Sequence, residues 1–134
     1  MGEDEDGIRR TIAEYSQRCD DGHFDRWAEL FTEDARLVFG EQTTEGRTAI
    51  KTYMEGLQPP AARGKHITAN TLVDVDGSTA TATTDYLFVR ASTGGLVLIA
   101  AGRYHDQLVR DGSRWQFRQR AITTLGLPAR VSDG

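Results

Sequence analysis

Apolar side chains recur at helical spacing in the first part of the chain. One stripe, with intervals of three and four residues, predicts an amphipathic first helix, and its members are Ile8, Ile12, Tyr15 and Cys19. The segment FDRWAELF at residues 24–31 predicts a short second helix with its aromatic and leucine side chains directed inward. EGRTAIKTYMEGL at residues 45–57 predicts a third helix.

The pattern changes to strict alternation from residue 65 onward, which predicts β-strands. Turn signals at residues 76–77, 93–95 and 111–112 divide this part into four long strands. ARLVF at residues 35–39 predicts a shorter one. Helices followed by an antiparallel meander indicate an α+β fold, with three N-terminal helices packed on one face of a curved, mostly antiparallel sheet.

One domain accounts for the whole sequence. A chain of 134 residues can bury a single core, and it contains no internal repeat or low-complexity segment. We therefore expect one domain over residues 1–134, with residues 1–6 and 127–134 as flexible termini.

Two-residue turns would set the strand register and hence the face on which each side chain lies. A turn at residues 76–77 pairs His66 with Leu87, and opposed residues share a face. The face that carries His66 is then expected to include Asn70 and Asp85. Its apolar members in the last two strands would be Leu98, Ala100, Gly102, Tyr104, Leu108, Trp115, Phe117 and Ala121.

The opposite face of the predicted sheet combines a polar end with an apolar middle. Its polar residues are Arg103, His105, Gln107, Gln116, Arg118 and Arg120. Its apolar residues are Ile67, Val73, Val75, Tyr86, Phe88, Val97 and Ile99. Because an uncovered apolar sheet surface usually packs against another subunit, we predict a homo-oligomer, a dimer or a trimer, formed through this face.

Composition and charge argue against several classes of function. The net charge is −4 and there is no basic stripe, so nucleic-acid binding is not expected. No apolar run approaches the roughly 20 residues of a membrane-spanning helix, and the acidic N-terminus is unlike a secretory signal. Cys19 is the only cysteine, which excludes an intrachain disulfide. A cytoplasmic protein without membrane partners is expected.

Several motifs together carry a resemblance that covers nearly the whole chain. YSQRCDDGHFDRWAELFTEDARLVF, EGRTAI, HITANTL, GRYHDQL and WQFRQRAI resemble, in order and spacing, the SnoaL-like branch of the nuclear transport factor 2-like superfamily. The resemblance implies a cone-shaped α+β barrel, in which three helices close a strongly curved sheet around a deep pocket. Proteins of this superfamily have many unrelated functions, so the resemblance predicts the fold better than it predicts the reaction.

The eliminating enzymes of this family imply a catalytic pair. They include scytalone dehydratase, bile-acid 7α-dehydratase and hexachlorocyclohexane dehydrochlorinase. The resemblance implies an aspartate near the end of the first helix and a histidine at the start of the strand that follows the third helix. In this sequence these residues are Asp20 and His66. Tyr15 matches a pocket tyrosine of the dehydratases. Asp21 is expected outside the pocket, and His23 stands where many relatives carry an acidic residue.

These residue types suit proton abstraction without a cofactor or a metal. Imidazole can act as a base near neutral pH, and a carboxylate that holds its other nitrogen fixes the tautomer and stabilises the imidazolium. Tyr15, Asn70 or Tyr104 could donate to an oxygen that gains negative charge. The remaining expected pocket residues are Trp27, Phe31, Phe39, Tyr53, Met54 and Asp85.

Three classes of function are compatible with the pattern. The first is a cofactor-independent lyase or isomerase that uses Asp20 and His66 on an apolar oxygenated small molecule such as a steroid, terpenoid or polyketide. The second is a polyketide cyclase or an epoxide hydrolase. Hydrolase relatives use an Asp-Arg-Asp set, whereas the candidate arginines here are expected on the outer face. The third is a non-catalytic domain that binds a small ligand.

Overall fold

The computed structural model describes residues 2–126, which form three helices and one six-stranded sheet. The helices are α1 (Gly2–Asp20), α2 (Phe24–Ala28) and α3 (Arg47–Leu57), and a 3-10 turn covers Pro60–Ala62. The strands are β1 (Phe31–Phe39), β2 (Gln42–Glu45), β3 (Lys65–Asp76), β4 (Thr79–Ser92), β5 (Gly95–Asp111) and β6 (Arg114–Thr124). The strand order is β2-β1-β6-β5-β4-β3. Only β1 and β6 pair in parallel. The curved mixed sheet, covered by the helices, confirms the predicted α+β fold.

Helix α1 begins earlier than the sequence suggested. Residues 2–6, expected to be flexible, form its first turn, where an acidic cluster suits the positive end of the helix dipole. The indole nitrogen of Trp115 donates to Asp4 Oδ1 at 3.3 Å and ties this turn to β6. The other expected flexible segment, 127–134, lies outside the described residues.

Helix α2 is shorter than predicted, because the chain joins the sheet at Phe31. The backbone N–H of Phe117 donates to the carbonyl of Leu30 at 2.8 Å, which draws the chain out of the helix and against β6. Leu30 and Phe31 remain buried, as their apolar character required. Strand β2 was not predicted, because its residues, QTTE, contain no apolar alternation.

The core lies between the helices and the inner face of the sheet, around the ring of Tyr15. This ring packs at 5.3 Å from Trp27 and at 5.8 Å from Phe117, measured between ring centroids. Phe31 and Tyr104 complete the surrounding aromatic set. Burial of such large side chains is the main source of stability for a domain of this size.

A bulge in β5 reverses the predicted orientation of β4. Ile99 is an extra residue that shifts the register against β4, and one extra residue exchanges the two faces beyond it. Tyr86 and Phe88 therefore face the helices and are buried. Asp85 and Leu87 face outward, so their predicted position on the inner face was wrong.

A second bulge, in β3, returns His66 to the inner face. The register against β4 shifts at Asn70 and Thr71. Asn70 has a φ of 56°, in the left-handed region that asparagine tolerates better than most residues. His66 consequently pairs with Phe88 and faces inward. Asn70 was expected on the inner face as well, but it is exposed on the outer face and donates to Asp85 Oδ2 at 3.0 Å.

A third bulge, at Arg118 in β6, exchanges the faces of the end of that strand. Arg120, expected on the outer face, is consequently fully buried under the helices. Ile122 joins the core, whereas Ala121, expected inside, pairs with His105 on the outer face.

The outer face keeps exposed apolar residues, but they are not the predicted set. Ile67, Leu72 and Leu87 are 51%, 71% and 42% exposed. The five residues predicted there but found on the inner side are Val73, Val75, Tyr86, Phe88 and Val97. Leu98, predicted inside, is exposed. The same bulges explain these exchanges.

Candidate active site

A pocket of about 260 Å³ opens on the inner side of the sheet, next to α3. Its volume is slightly below the roughly 300–1,000 Å³ that small-molecule sites have. Most of the lining is apolar or aromatic. Of the residues predicted for the pocket, those that line it are Tyr15, Phe39, Met54, His66 and Tyr104.

Asp20 and His66 are in direct contact at the edge of this pocket. Asp20 Oδ1 lies 2.6 Å from His66 Nδ1, and Asp20 Oδ2 accepts the backbone N–H of His66 at 3.0 Å. The two side chains are only 4% and 12% exposed. A carboxylate can only accept, so Nδ1 carries the proton and Nε2 is left as the free, basic nitrogen.

The local sequence places Asp20 in the last turn of α1. The helix ends in a Schellman motif, in which the N–H of His23 donates to the carbonyl of Arg18 and the N–H of Gly22 to that of Cys19. Gly22 has the positive φ, 76°, that this motif requires. A buried carboxylate at the negative end of a helix dipole is unfavourable by itself. Its hydrogen bonds to His66 offset this cost.

Arg63 fixes the connector that leads into β3 against the end of α1. Its Nε donates to the carbonyl of Gln58 at 3.1 Å, and its guanidinium lies over the ring of Phe24 at 5.7 Å. The same group occupies the space where a Cβ on Gly22 would lie, 2.4 Å from Nη1. Arg63 therefore holds together the two segments that carry Asp20 and His66.

Three tyrosines and Phe88 line the pocket together with His66. The rings of His66 and Phe88 lie 4.5 Å apart, and Tyr86 stacks on Tyr104 at 4.5 Å. Burial raises the pKa of Tyr15 and of Tyr104 well above the usual range, an effect that the positive charge of Arg120 opposes only in part. Both hydroxyls thus stay protonated and remain available as hydrogen-bond donors.

Several predicted pocket residues lie elsewhere. Trp27 and Phe31 are fully buried in the core, where they pack on Tyr15 rather than on the pocket. Tyr53 packs against the core from α3 and does not line the pocket. Asn70 and Asp85 lie on the outer face because of the bulges in β3 and β5, so they cannot reach a ligand in this pocket.

A buried ion pair that the sequence analysis missed lies beneath the pocket. Arg120 Nε and Nη2 donate to the two carboxylate oxygens of Asp106 at 2.7 and 2.8 Å, and both side chains are fully buried. The guanidinium carbon lies 3.7 Å from the ring centroid of Tyr104 and 4.2 Å from that of Tyr15. Burial acts to lower the pKa of Arg120, but the attraction of Asp106 outweighs it and leaves this pKa raised.

One signal in the sequence could have revealed this pair. Asp106 alternates with Tyr104 and Leu108 in β5, both of which were expected to face inward. A carboxylate on a buried face needs a cationic partner. An arginine of the adjacent strand β6 was therefore required on the inner face, contrary to the predicted register.

Two kinds of feature are absent from the part of the chain that the structure describes. Within residues 2–126, no three or more His, Cys, Asp or Glu side chains are grouped to hold a metal ion. Nor does any helix there have both the length and the apolar character needed to cross a bilayer.

Comparison with known proteins agrees with the fold. The model of the SnoaL-like domain matches residues 2–121. No curated protein sequence matches the chain. An NTF2-like protein with a cystatin-like fold from Novosphingobium aromaticivorans is 27% identical, with a TM-score of 0.84 over 95% of this chain and 85% of that one.

Two further structures are similar to the chain. One is a protein from the same bacterium with the provisional name scytalone dehydratase. It is 27% identical, with a TM-score of 0.80 over 90% of this chain and 83% of that chain. A protein from Catenulispora acidiphila, solved in complex with S-DNPA, is 20% identical and has a TM-score of 0.82. The similarity covers 92% of this chain and 95% of that one, and at this identity it shows a shared fold.

Proposed function

The chain belongs to the SnoaL-like family, and on this basis we propose that it is a cofactor-independent lyase or isomerase of an apolar, oxygenated small molecule. The observation that carries the proposal is the contact of Asp20 with the backbone N–H and the ring Nδ1 of His66, beside a largely apolar pocket. The provisional scytalone dehydratase and the complex with S-DNPA support a small-molecule ligand for this pocket.

His66 is the proposed base. Its Nε2 removes a proton from a carbon next to a carbonyl group, and the imidazolium that forms is stabilised by Asp20. The electron pair of the broken C–H bond moves toward the carbonyl oxygen, which gains negative charge. Tyr15 and Tyr104, both protonated, line the pocket. Their hydroxyls are the proposed donors to this oxygen.

Two outcomes can follow from this intermediate. If the substrate carries a hydroxyl group on the next carbon, that group takes the proton from the imidazolium and leaves as water, which gives dehydration. If it does not, the imidazolium returns its proton to a different carbon, which gives isomerisation. A cyclase would use the same base to generate a carbon nucleophile, so it remains a second candidate that this pair supports equally.

Incubation of the protein with steroid, terpenoid and polyketide β-hydroxy ketones is expected to yield a product. Dehydration would appear as the loss of one water by mass spectrometry. Isomerisation would be tested with ketones that lack the hydroxyl group, and it would appear as a proton and a double bond in new positions, measured by NMR. If a compound raises the melting temperature but shows neither change, the protein is a ligand-binding domain and the proposed chemistry is wrong.

Self-association through the outer face stays a prediction. Ile67, Leu72 and Leu87 form an exposed apolar surface there, and such a surface is stabilised when a second copy covers it. We expect the dimer or trimer mass by light scattering at micromolar concentration, and the monomer mass for the Leu87→Arg variant. A monomeric wild-type protein would refute the prediction.

A further inference from the structure

Two polar side chains line the pocket without a part in the proposed proton transfer. They are Gln58, at the end of α3, and Arg90, near the end of β4. Tyr15 and Tyr104 at the bottom of the pocket are fully buried, whereas Gln58 and Arg90 are only partly buried. The two polar side chains therefore lie toward the open side of the pocket.

The side chain of Gln58 has an unsatisfied polar atom. Its backbone is engaged, because its N–H donates to the carbonyl of Met54 at 3.0 Å and its carbonyl accepts from Arg63. Its Oε1 is buried and has no hydrogen-bond partner among the described residues. Because Oε1 is enclosed, only Nε2 of this amide can reach a ligand in the pocket, and it does so as a hydrogen-bond donor.

Arg90 is fixed along its stem but is not neutralised. Gly64 permits close approach of the connector, since a Cβ at this position would lie 2.0 Å from the carbonyl oxygen of Val89 and 3.0 Å from Arg90 Cγ. The guanidinium makes one long hydrogen bond, 3.4 Å, to the carbonyl of Ala62. No carboxylate of residues 2–126 forms an ion pair with Arg90.

Arg90 stands at a defined distance from the base. It lies two residues beyond Phe88 on the same face of β4, and Phe88 pairs with His66. Two residues of a strand span roughly 7 Å. Among the residues that line the pocket, Arg90 is the one with a permanent charge, and none of them is acidic. The pocket thus has a positive group at one end and a base at the other.

We propose that Gln58 and Arg90 form a subsite for an anionic oxygen group, so that the substrate is an amphiphilic carboxylic acid. This inference rests on the proposed function, because it defines which class of apolar oxygenated molecule enters the site. The carboxylate binds the guanidinium of Arg90 and the amide of Gln58. The ring system of the substrate contacts Phe39, Met54 and Phe88, and its reactive carbon lies near His66.

A matched pair of probes tests the subsite without any need for turnover. 2-Naphthaleneacetic acid and 2-naphthaleneacetamide have nearly the same shape and differ in charge at neutral pH. Isothermal titration calorimetry is expected to show at least about tenfold tighter binding of the acid to the wild-type protein, the size of effect typical of one charged hydrogen-bonded pair. Arg90→Met is expected to remove this preference and to leave amide binding within about twofold of wild type.

Three variants make the result specific. Arg90→Lys keeps the charge and is expected to retain part of the preference, and Gln58→Leu is expected to weaken acid binding by several-fold. Arg103→Met removes an arginine from the outer face and should change nothing, because Arg103 pairs with Asp85 away from the pocket. Equal affinity of the wild-type protein for acid and amide, a preference that survives in Arg90→Met, or no binding of either probe would each overturn the proposal.

The same titrations separate this inference from the proposed function. The His66→Ala variant is expected to bind the acid with the wild-type preference, since His66 has no part in the subsite. If His66→Ala retains turnover while Arg90→Met loses the acid preference, the proposed base is wrong and the subsite stands. If the acid preference is absent while His66 is essential for turnover, the subsite is wrong and the proposed base stands.

Discussion

Replacement of His66 with alanine is expected to lower kcat by about 10²–10⁴-fold on any substrate that the protein converts, the usual contribution of a positioned general base. The variant should still fold. Asp20 Oδ2 keeps its hydrogen bond from the backbone N–H of residue 66, which does not depend on the side chain. The measurement is a steady-state kinetic assay, accompanied by thermal unfolding of the same preparations.

The Asp20→Asn variant tests the carboxylate member of the pair. An asparagine that turns its amide NH₂ toward Nδ1 would favour the tautomer with the proton on Nε2, and this tautomer cannot accept a proton from the substrate. We expect a decrease in kcat of similar order, about 10²–10⁴-fold, with little change in substrate binding.

His105→Ala is the matched control for both variants. His105 is a histidine of the same sheet, but it is exposed on the outer face. Its replacement should leave kcat unchanged. Wild-type rates in both His66→Ala and Asp20→Asn would rule out this pair as the catalytic machinery, whatever the substrate proves to be.

Replacement of Arg120 with methionine is expected to destabilise the protein by about 3–5 kcal/mol, because it leaves the carboxylate of Asp106 buried without its partner. Both side chains of the pair are fully buried, so water cannot screen the orphaned charge. The stack of the guanidinium on Tyr15 and Tyr104 would be lost as well. The free energy of unfolding can be measured by urea denaturation.

The double variant Arg120→Met, Asp106→Leu separates the cost of an orphaned charge from the value of the pair itself. Apolar replacement of an entire buried ion pair is often neutral or stabilising. We therefore expect the double variant to recover most of the stability that Arg120→Met loses. If the single Arg120→Met variant were as stable as wild type, the buried pair would have no role in holding the core.

The general fold could be predicted from periodicity, but the orientation of individual strand residues could not. The stripes of α1 and α3 and the turn signals between the long strands are local features, so the sequence displays them directly. No local sequence feature predicts the bulges at Ile99, Asn70 and Arg118, because each depends on how the chain fits a curved sheet. Each bulge exchanges inside for outside beyond it.

The candidate site, too, could be predicted only in part, because the face on which each strand residue lies depends on the bulges. His66 was placed on the correct face because the bulges in β5 and β3 cancel before its position is reached. Asp85 lies in β4, where only the shift at Ile99 applies, and Asn70 lies at the second shift itself. The expected positions of both residues were therefore wrong. The contact between Asp20 and His66 was implied by the family resemblance, since no local pattern links two residues so far apart in sequence.

Asp20 grips one residue at two points, the main-chain N–H and the ring nitrogen of His66. These two hydrogen bonds restrict rotation about both torsions of the histidine side chain, so the imidazole is preorganised before any ligand binds. Ordering of a mobile side chain would otherwise cost about 0.5–1.5 kcal/mol on binding. The imidazole is therefore already oriented when a substrate binds. The binding energy of the substrate is then available to align the substrate itself.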